Sequence, residues 1–203
     1  MSHSSEFAEL LRDENVLADL IAGSAGSLMD FARWDHNRRF ISSAIHRDGS
    51  ILDIGCANGF LLKCLQQWCD HQLIPYGIDV NANKITDATI LFAEYAQNFA
   101  TLSVDCLGDI TKHGLPAQFD FVYCSISFDP TIYKKTLDLV APGGRLIFGF
   151  YGKNAHPIGS AAQLAELNEV RSRITYLAKQ GCKFSQVRDN PYGSSHIVAW
   201  LDR

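Results

Sequence analysis

The sequence predicts an α/β fold: a doubly wound, mostly parallel seven-stranded sheet with helices on both faces and a C-terminal antiparallel β-hairpin, a three-layer α/β/α sandwich. Three observations predict it. After about fifty residues of helical pattern, strand-like and helix-like runs alternate five times, as in a parallel sheet covered on both faces. The first of these strands, in ILDIGCANGF (Ile51–Phe60), turns into its helix across Gly55 and Gly59. Two closing strand-like runs flank Asn190-Pro191-Tyr192-Gly193, a hairpin loop.

The chain of 203 residues is long enough for one domain with its own core. Its 47% hydrophobic and 20% charged residues are those of an ordinary globular protein, not a disordered one. A formal net charge of −4 disfavours nucleic acid as a partner without excluding it, because phosphate binding rests on Lys and Arg. The N-terminus has neither a basic region nor an apolar core of a secretory signal, and no apolar run approaches the ~20 residues of a membrane span. A cytoplasmic protein with no membrane association is expected. The six cysteines form no C-x-x-C pair and most sit in apolar stretches, as reduced core thiols do. Cys64, Cys69 and His71 lack the spacing of a zinc motif, so no metal is expected.

The elements follow in order. Phe7 to Ile21 carries a helical stripe (Phe7, Leu10, Leu11, Leu17, Leu20, Ile21) that Gly23-Ser24-Ala25-Gly26 should break. Ser27 and Asp30 resemble a capping box for a second helix running through Trp34 to Ile45. Asp48-Gly49 leads into the strand Ile51–Ile54, and a helix follows from about Asn58 to Trp68. Leu73–Val80 reads as the second strand, Asn83–Phe99 as a helix, and Thr101–Cys106 as the third strand. Phe119–Ser125 is apolar enough to be a strand buried on both faces. Asp129-Pro130 starts a helix to about Val140, with an acid at the N-cap and proline at the first helical position. Ala141-Pro142-Gly143-Gly144 is a turn before the strand Arg145–Tyr151. Ser160 and Gln163 cap a long helix through Leu164, Leu167, Ile174 and Leu177, closed by Gly181. Cys182–Arg188 and His196–Asp202 are the last strands.

The turn after the first strand aims backbone N–H groups at a ligand, with no Cβ in the way at its glycines. A dinucleotide fingerprint needs glycine where this chain has Ala57 and Phe60. An acid followed by Gly-x-Gly-x-Gly fits better: Asp53, Gly55, Ala57 and Gly59, with alanine in the middle place. In this the chain resembles the class I S-adenosylmethionine-dependent methyltransferases. The resemblance runs from about Ser50 to Phe150 and includes Asp79 in GIDV, Asp109-Ile110, FDFVYCS and LVAPGGRLIF. It implies S-adenosylmethionine as cofactor and S-adenosylhomocysteine as product. It implies a site of Asp53, Gly55, Cys56, Ala57, Gly59, Asp79, Val80, Asp109, Ile110, Cys124 and Ser125. Within it Asp79 would take the ribose hydroxyls, Asp53 the ammonium, and Asp109 and Ile110 the adenine. Strand-end aspartates also serve as caps and turn formers, and that reading stays open for Asp79 and Asp109.

The parts outside this shared stretch are expected to make the acceptor pocket. Residues 1–49 are read as a helical cap over the cofactor site, and 50–203 as the methyltransferase core. Trp34 and Arg38, four apart on one helix face, would close the pocket and meet the cofactor's carboxylate. Tyr151 and Tyr192 are candidates for an aromatic wall. No catalytic residue is assigned; His156, in the loop Gly152–Gly159, is the first candidate for a base. Ser125-Ile126-Ser127-Phe128 lacks the Asn/Asp-Pro-Pro-aromatic signature of the family's adenine-amino enzymes. The expectation is a methyltransferase on a small-molecule acceptor, at oxygen or nitrogen. The alternatives are one that acts on RNA or protein, and a binding module of the same fold without catalysis.

Overall fold

The computed structural model describes residue 12 and residues 14–25, 31–125, 130–153, 161–187 and 195–203. Phe7 to Leu11, the Ser27/Asp30 box, Asp129, Ser160, the Gly152–Gly159 loop's His156 and the Asn190–Gly193 turn with Tyr192 lie outside the described residues, as does the side chain of Tyr151.

Two helices lead the described chain, α1 (Glu14–Ala25) and α2 (Phe31–Arg38), with a 3-10 segment Arg39–Ala44. Then come β1 (Gly49–Ile54), α3 (Phe60–Trp68), β2 (Leu73–Asp79), α4 (Ala82–Leu91), β3 (Phe99–Thr101) and β4 (Phe119–Cys124). α5 (Pro130–Asp138), β5 (Val140–Lys153), α6 (Ala161–Lys179), β6 (Lys183–Val187) and β7 (Ser195–Asp202) complete it. The seven strands form one sheet in the order β3-β2-β1-β4-β5-β7-β6. The first five are parallel, and β7 runs antiparallel to both β5 and β6. The expected architecture is therefore present.

Side chains alternate across the strands, so each central strand feeds two cores. Ile51, Phe121, Ile147 and Val198 face one way, against Ile21, Trp34, Ile41, Phe60, Leu65 and Ala88 of the N-terminal helices, α3 and α4. Leu52, Val122, Leu146 and Ala199 face the other way, against Leu107, Tyr133, Val170 and Leu177. The N-terminal helices thus share a continuous core with β1 and α3.

Four local expectations need correction. The first helix continues through Gly23 to Ala25, because one glycine costs only about 1 kcal/mol and Ile21 anchors the end of the helix in the core. The fourth helix stops at Leu91, where Phe92 leaves helical geometry (φ −118, ψ 53) and its ring stacks on Phe99, centroids 5.1 Å apart. The third strand is Phe99–Thr101, not Thr101–Cys106. From Val104 to His113 the chain coils into 3-10 turns, and Leu107 and Ile110, three apart on that coil, reach the core while Cys106 is exposed. Finally, Ala141–Gly144 forms a bulge inside β5 where a turn ahead of it was expected: pairing with β4 jumps from Phe119–Val140 to Phe121–Arg145, and Gly143 takes φ +75. On the long helix Leu164 stays exposed, and Val170 and Leu177 are buried.

Candidate functional site

The turn after β1 is tied to β2 before any ligand is considered. The N–H groups of Gly55 and Cys56 both donate to the Ile78 carbonyl, at 2.8 and 3.0 Å. Asp79 Oδ2 accepts from the Ala57 N–H at 3.0 Å, and its Oδ1 accepts from the Asn81 N–H at 2.9 Å. Gly55 and Gly59 hold φ of 83 and 76, and Ala57 holds 49. Ala57 is the only non-glycine residue with positive φ among the described residues. The middle position of the motif thus keeps the left-handed backbone that a glycine would adopt with less strain. Asn58, buried at 3% exposure, donates to the Leu20 carbonyl at 2.9 Å and so pins α1 onto the turn. Gly77 makes room for the turn: a Cβ there would come within 2.6 Å of Cys56 Sγ.

A cavity of about 320 Å³ opens beside this turn. Asp53, Gly55 and Cys56 line it from β1 and the turn; Tyr123 from β4 and Ser125 from just after it; Gly149 and Phe150 from β5; His196 from β7. Arg38 of α2 borders it on one side, and Glu166, Glu169 and Arg173 of α6 on the other. It therefore lies at the carboxyl ends of the central strands, where open α/β sheets take their ligands. Register explains the assembly. Asp53 pairs with Tyr123 across β1 and β4, and His196 pairs with Tyr151. Because β7 is antiparallel, its first residues come to the carboxyl ends of its parallel neighbours.

The electrostatics are concentrated on three buried groups, Asp53, His196 and Tyr123, and on Arg38 beside them. Burial, with the charge of Asp79 added, pushes the Asp53 carboxyl up to about 7, against a smaller opposing pull from Arg38. Burial holds His196 down at about 3, and Arg38 adds to that, so its imidazole is neutral. Burial also raises the Tyr123 phenol well above its usual range, while a hydrogen bond from Ser125 works the other way. Asp53 Oδ1 and Arg38 Nη1 are both buried without a hydrogen-bond partner among the described residues. Arg38 stacks on Trp34 at 5.0 Å, and α6 adds the internal pair Glu169–Arg173.

The structure brings Arg38, Asp53, Gly55, Cys56 and Ser125 of the expected site to one cavity. Ala57, Gly59 and Asp79 belong to the turn beside it. Val80 is 69% exposed just beyond β2. Asp109 is also exposed and pairs with Lys112 at 2.7 Å, which lowers its carboxyl, and Ile110 is sealed in the core. Cys124 is buried in the core on the opposite sheet face from Asp53. Trp34 does not close a pocket. It is fully buried, its ring packed between the Phe60 and Trp68 rings of α3 at 4.8 and 5.8 Å. Sequence reasoning missed Tyr123 and His196. Tyr123 carried a usable signal, since it shares its strand face with Phe121 two residues earlier. His196 carried none until the pairing of β7 was known.

No protein-family model and no curated protein matches the sequence. Solved structures do. The chain is similar to the O-methyltransferase from Bacillus cereus in complex with SAH, with a TM-score of 0.62 and 16% identity over 98% of this chain and 91% of that one. It is similar to a SAM-dependent methyltransferase from Thiobacillus denitrificans in complex with S-adenosyl-L-homocysteine, at 0.60 and 12% over 92% and 98%. It is also similar to the ribosomal protein L11 methylase from Lactobacillus delbrueckii subsp. bulgaricus, at 0.52 and 15% over 86% and 80%. The chain thus has the fold of the S-adenosylmethionine-dependent methyltransferases.

Proposed function

We propose that this protein is an S-adenosylmethionine-dependent methyltransferase acting on a small-molecule acceptor. The observation that carries the reading is the pair of unsatisfied groups in one cavity, Asp53 Oδ1 and Arg38 Nη1. A buried polar atom without a partner costs roughly 1–3 kcal/mol, so a partner is missing at each. An α-amino acid supplies both, an ammonium for Asp53 and a carboxylate for Arg38, and S-adenosylmethionine ends in one. Such a cofactor, when bound, supplies an electrophilic methyl group on a sulfonium.

The chain's own residues divide the remaining work. Gly55, Cys56, Ala57 and Gly59 bring backbone close to the cofactor. Asp79 keeps one lone pair per oxygen beyond its two backbone bonds, enough for a vicinal diol. Asp109 stays with the adenine end and Ser125 with the methionine end as the resemblance has them, with Val80 beside Asp79, while Ile110 and Cys124 are withdrawn from the site because their side chains are sealed in the core. Gly149 leaves the wall clear, since a Cβ there would sit 2.5 Å from the Tyr123 hydroxyl. The N-terminal helices, residues 1–49, act as the cap that presents Arg38. A cavity of about 320 Å³ bordered by both α2 and α6 favours a compact acceptor over a polymer.

The test has two stages. Calorimetry should show binding of S-adenosylhomocysteine and none of NAD. Labelled methyl from S-adenosylmethionine, offered a cell extract, should then appear in the metabolite fraction. Label confined to RNA or protein would overturn the acceptor class, and no binding of S-adenosylhomocysteine would overturn the reading.

A further inference from the structure

A second polar cavity lies on the far side of the glycine turn. Lys63, in the first half of α3, is only 8% exposed, and its Nζ stands 5.4 Å from the centroid of the Phe92 ring. Among the described residues its ammonium has no hydrogen bond and no ion pair, and it stands over the ring instead. A cavity of about 240 Å³ opens there. Lys63 and Gln66 line it from α3, and Leu91, Phe92 and Tyr95 from the kink after α4, with the exposed Glu94 also bordering it.

The stem of Lys63 is buried while its ammonium stays open to the cavity, and an ammonium carries three donors that a charged acceptor bonds better than a ring does. A ring face interacts with the charge but accepts none of those hydrogen bonds in full. We infer that this cavity is a binding site for a small organic monoanion, a carboxylate whose apolar body packs on Leu91, Phe92 and Tyr95 while its oxygens accept from Lys63. Glu94 sets the charge limit, because a dianion would meet its carboxylate. The site is separate from the cavity at Asp53 and does not depend on the methyltransferase reading. It adjoins that site through Phe92, since a Cβ on Gly59 would lie 3.1 Å from the Phe92 ring.

Benzoate and its neutral analogue benzamide are the probes, titrated into the full chain and followed by backbone amide chemical shifts. The expected result is saturable shifts centred on Leu91–Tyr95 and Lys63 with benzoate, and none there with benzamide. Lys63→Met should weaken benzoate at least about tenfold, and Lys63→Arg should retain it, as loss and retention of one charge-assisted pair require. Equal binding by Lys63→Met or by benzamide would overturn the proposal. So would benzoate shifts centred on Arg38 and Asp53, or no saturable shift at all. If Lys63→Met does not fold, the benzoate and benzamide comparison on the natural chain decides by itself.

Discussion

Asp53 and Arg38 border the same cavity, each with a buried polar atom that has no partner among the described residues, and they do not pair with one another. Each still feels the other's charge, and Arg38 pulls the Asp53 carboxyl down while burial and Asp79 push it up further. Two opposite charges held in one cavity and left unjoined are what a zwitterionic ligand end requires.

The first prediction concerns folding stability. The folded carboxyl of Asp53 sits at about 7 against an ordinary 3.8. A folded pKa above the unfolded one means the folded state holds the proton more tightly. The stability this contributes is complete below about pH 4 and is lost as pH rises through about 7. The difference of about three units corresponds to at most about 4 kcal/mol. Asp53→Asn removes the titration. Relative to the natural chain it should therefore gain stability between pH 5 and pH 8, measured by chemical denaturation at both. An unchanged difference at the two values would show that Asp53 is ionised throughout.

The second concerns ligand affinity. An ammonium binds the ionised form of Asp53, so binding should release a proton near neutral pH. The affinity for S-adenosylhomocysteine should fall by up to about tenfold per pH unit below 7 and level off above it. Calorimetry in two buffers of different ionisation heat would count the proton. Arg38→Met should lower affinity by roughly 1.5–3 kcal/mol through loss of the carboxylate's charged partner. It should also raise the pKa of His196, which Arg38 now holds down. Affinity that ignores both pH and Arg38 would remove the zwitterion assignment.

The sheet order and the glycine turn were legible because their signals are local and redundant. Asp53, Gly55 and Gly59 mark the turn, and the apolar runs of β1, β4 and β5 leave few other pairings. The third strand was not, because an edge strand pairs on one side only and the core is reached by Leu107 and Ile110 instead. Trp34 was misplaced because a helical face shared with Arg38 does not say which of the two meets the core. His196 reaches the cavity only through its antiparallel register with β5, a relation between segments distant in sequence.

A third prediction separates two roles of Asp79. Its carboxylate caps the N–H groups of Ala57 and Asn81, and its charge helps raise Asp53. Asp79→Ala should cost about 1–3 kcal/mol of stability by leaving those donors unpaired. It should also lower the Asp53 pKa, so that the stability–pH slope near neutrality shrinks. In a variant that still folds, affinity for S-adenosylhomocysteine should fall by a few kcal/mol if the same carboxylate takes the ribose. Full affinity with reduced stability would leave the backbone cap as its whole role.

The last prediction tests Ala57, where the motif departs from glycine. Its φ of 49 places an L-residue in the left-handed region, at a cost of roughly 1–2 kcal/mol. Ala57→Gly relieves this but makes the unfolded chain more flexible, which costs about 0.4–1 kcal/mol. The net change should be a small gain or no change, read as a melting temperature held or slightly raised. Ala57→Val places a β-branched side chain at the same φ, where its two methyl groups crowd the backbone. It should be destabilised relative to Ala57→Gly by more than about 1 kcal/mol and should bind S-adenosylhomocysteine more weakly, because the Ala57 N–H must hold its bond to Asp79 for the turn to keep its shape. If Ala57→Gly proved the less stable of the two, the left-handed turn would be wrong, and with it the way Asp79 is held beside Asp53.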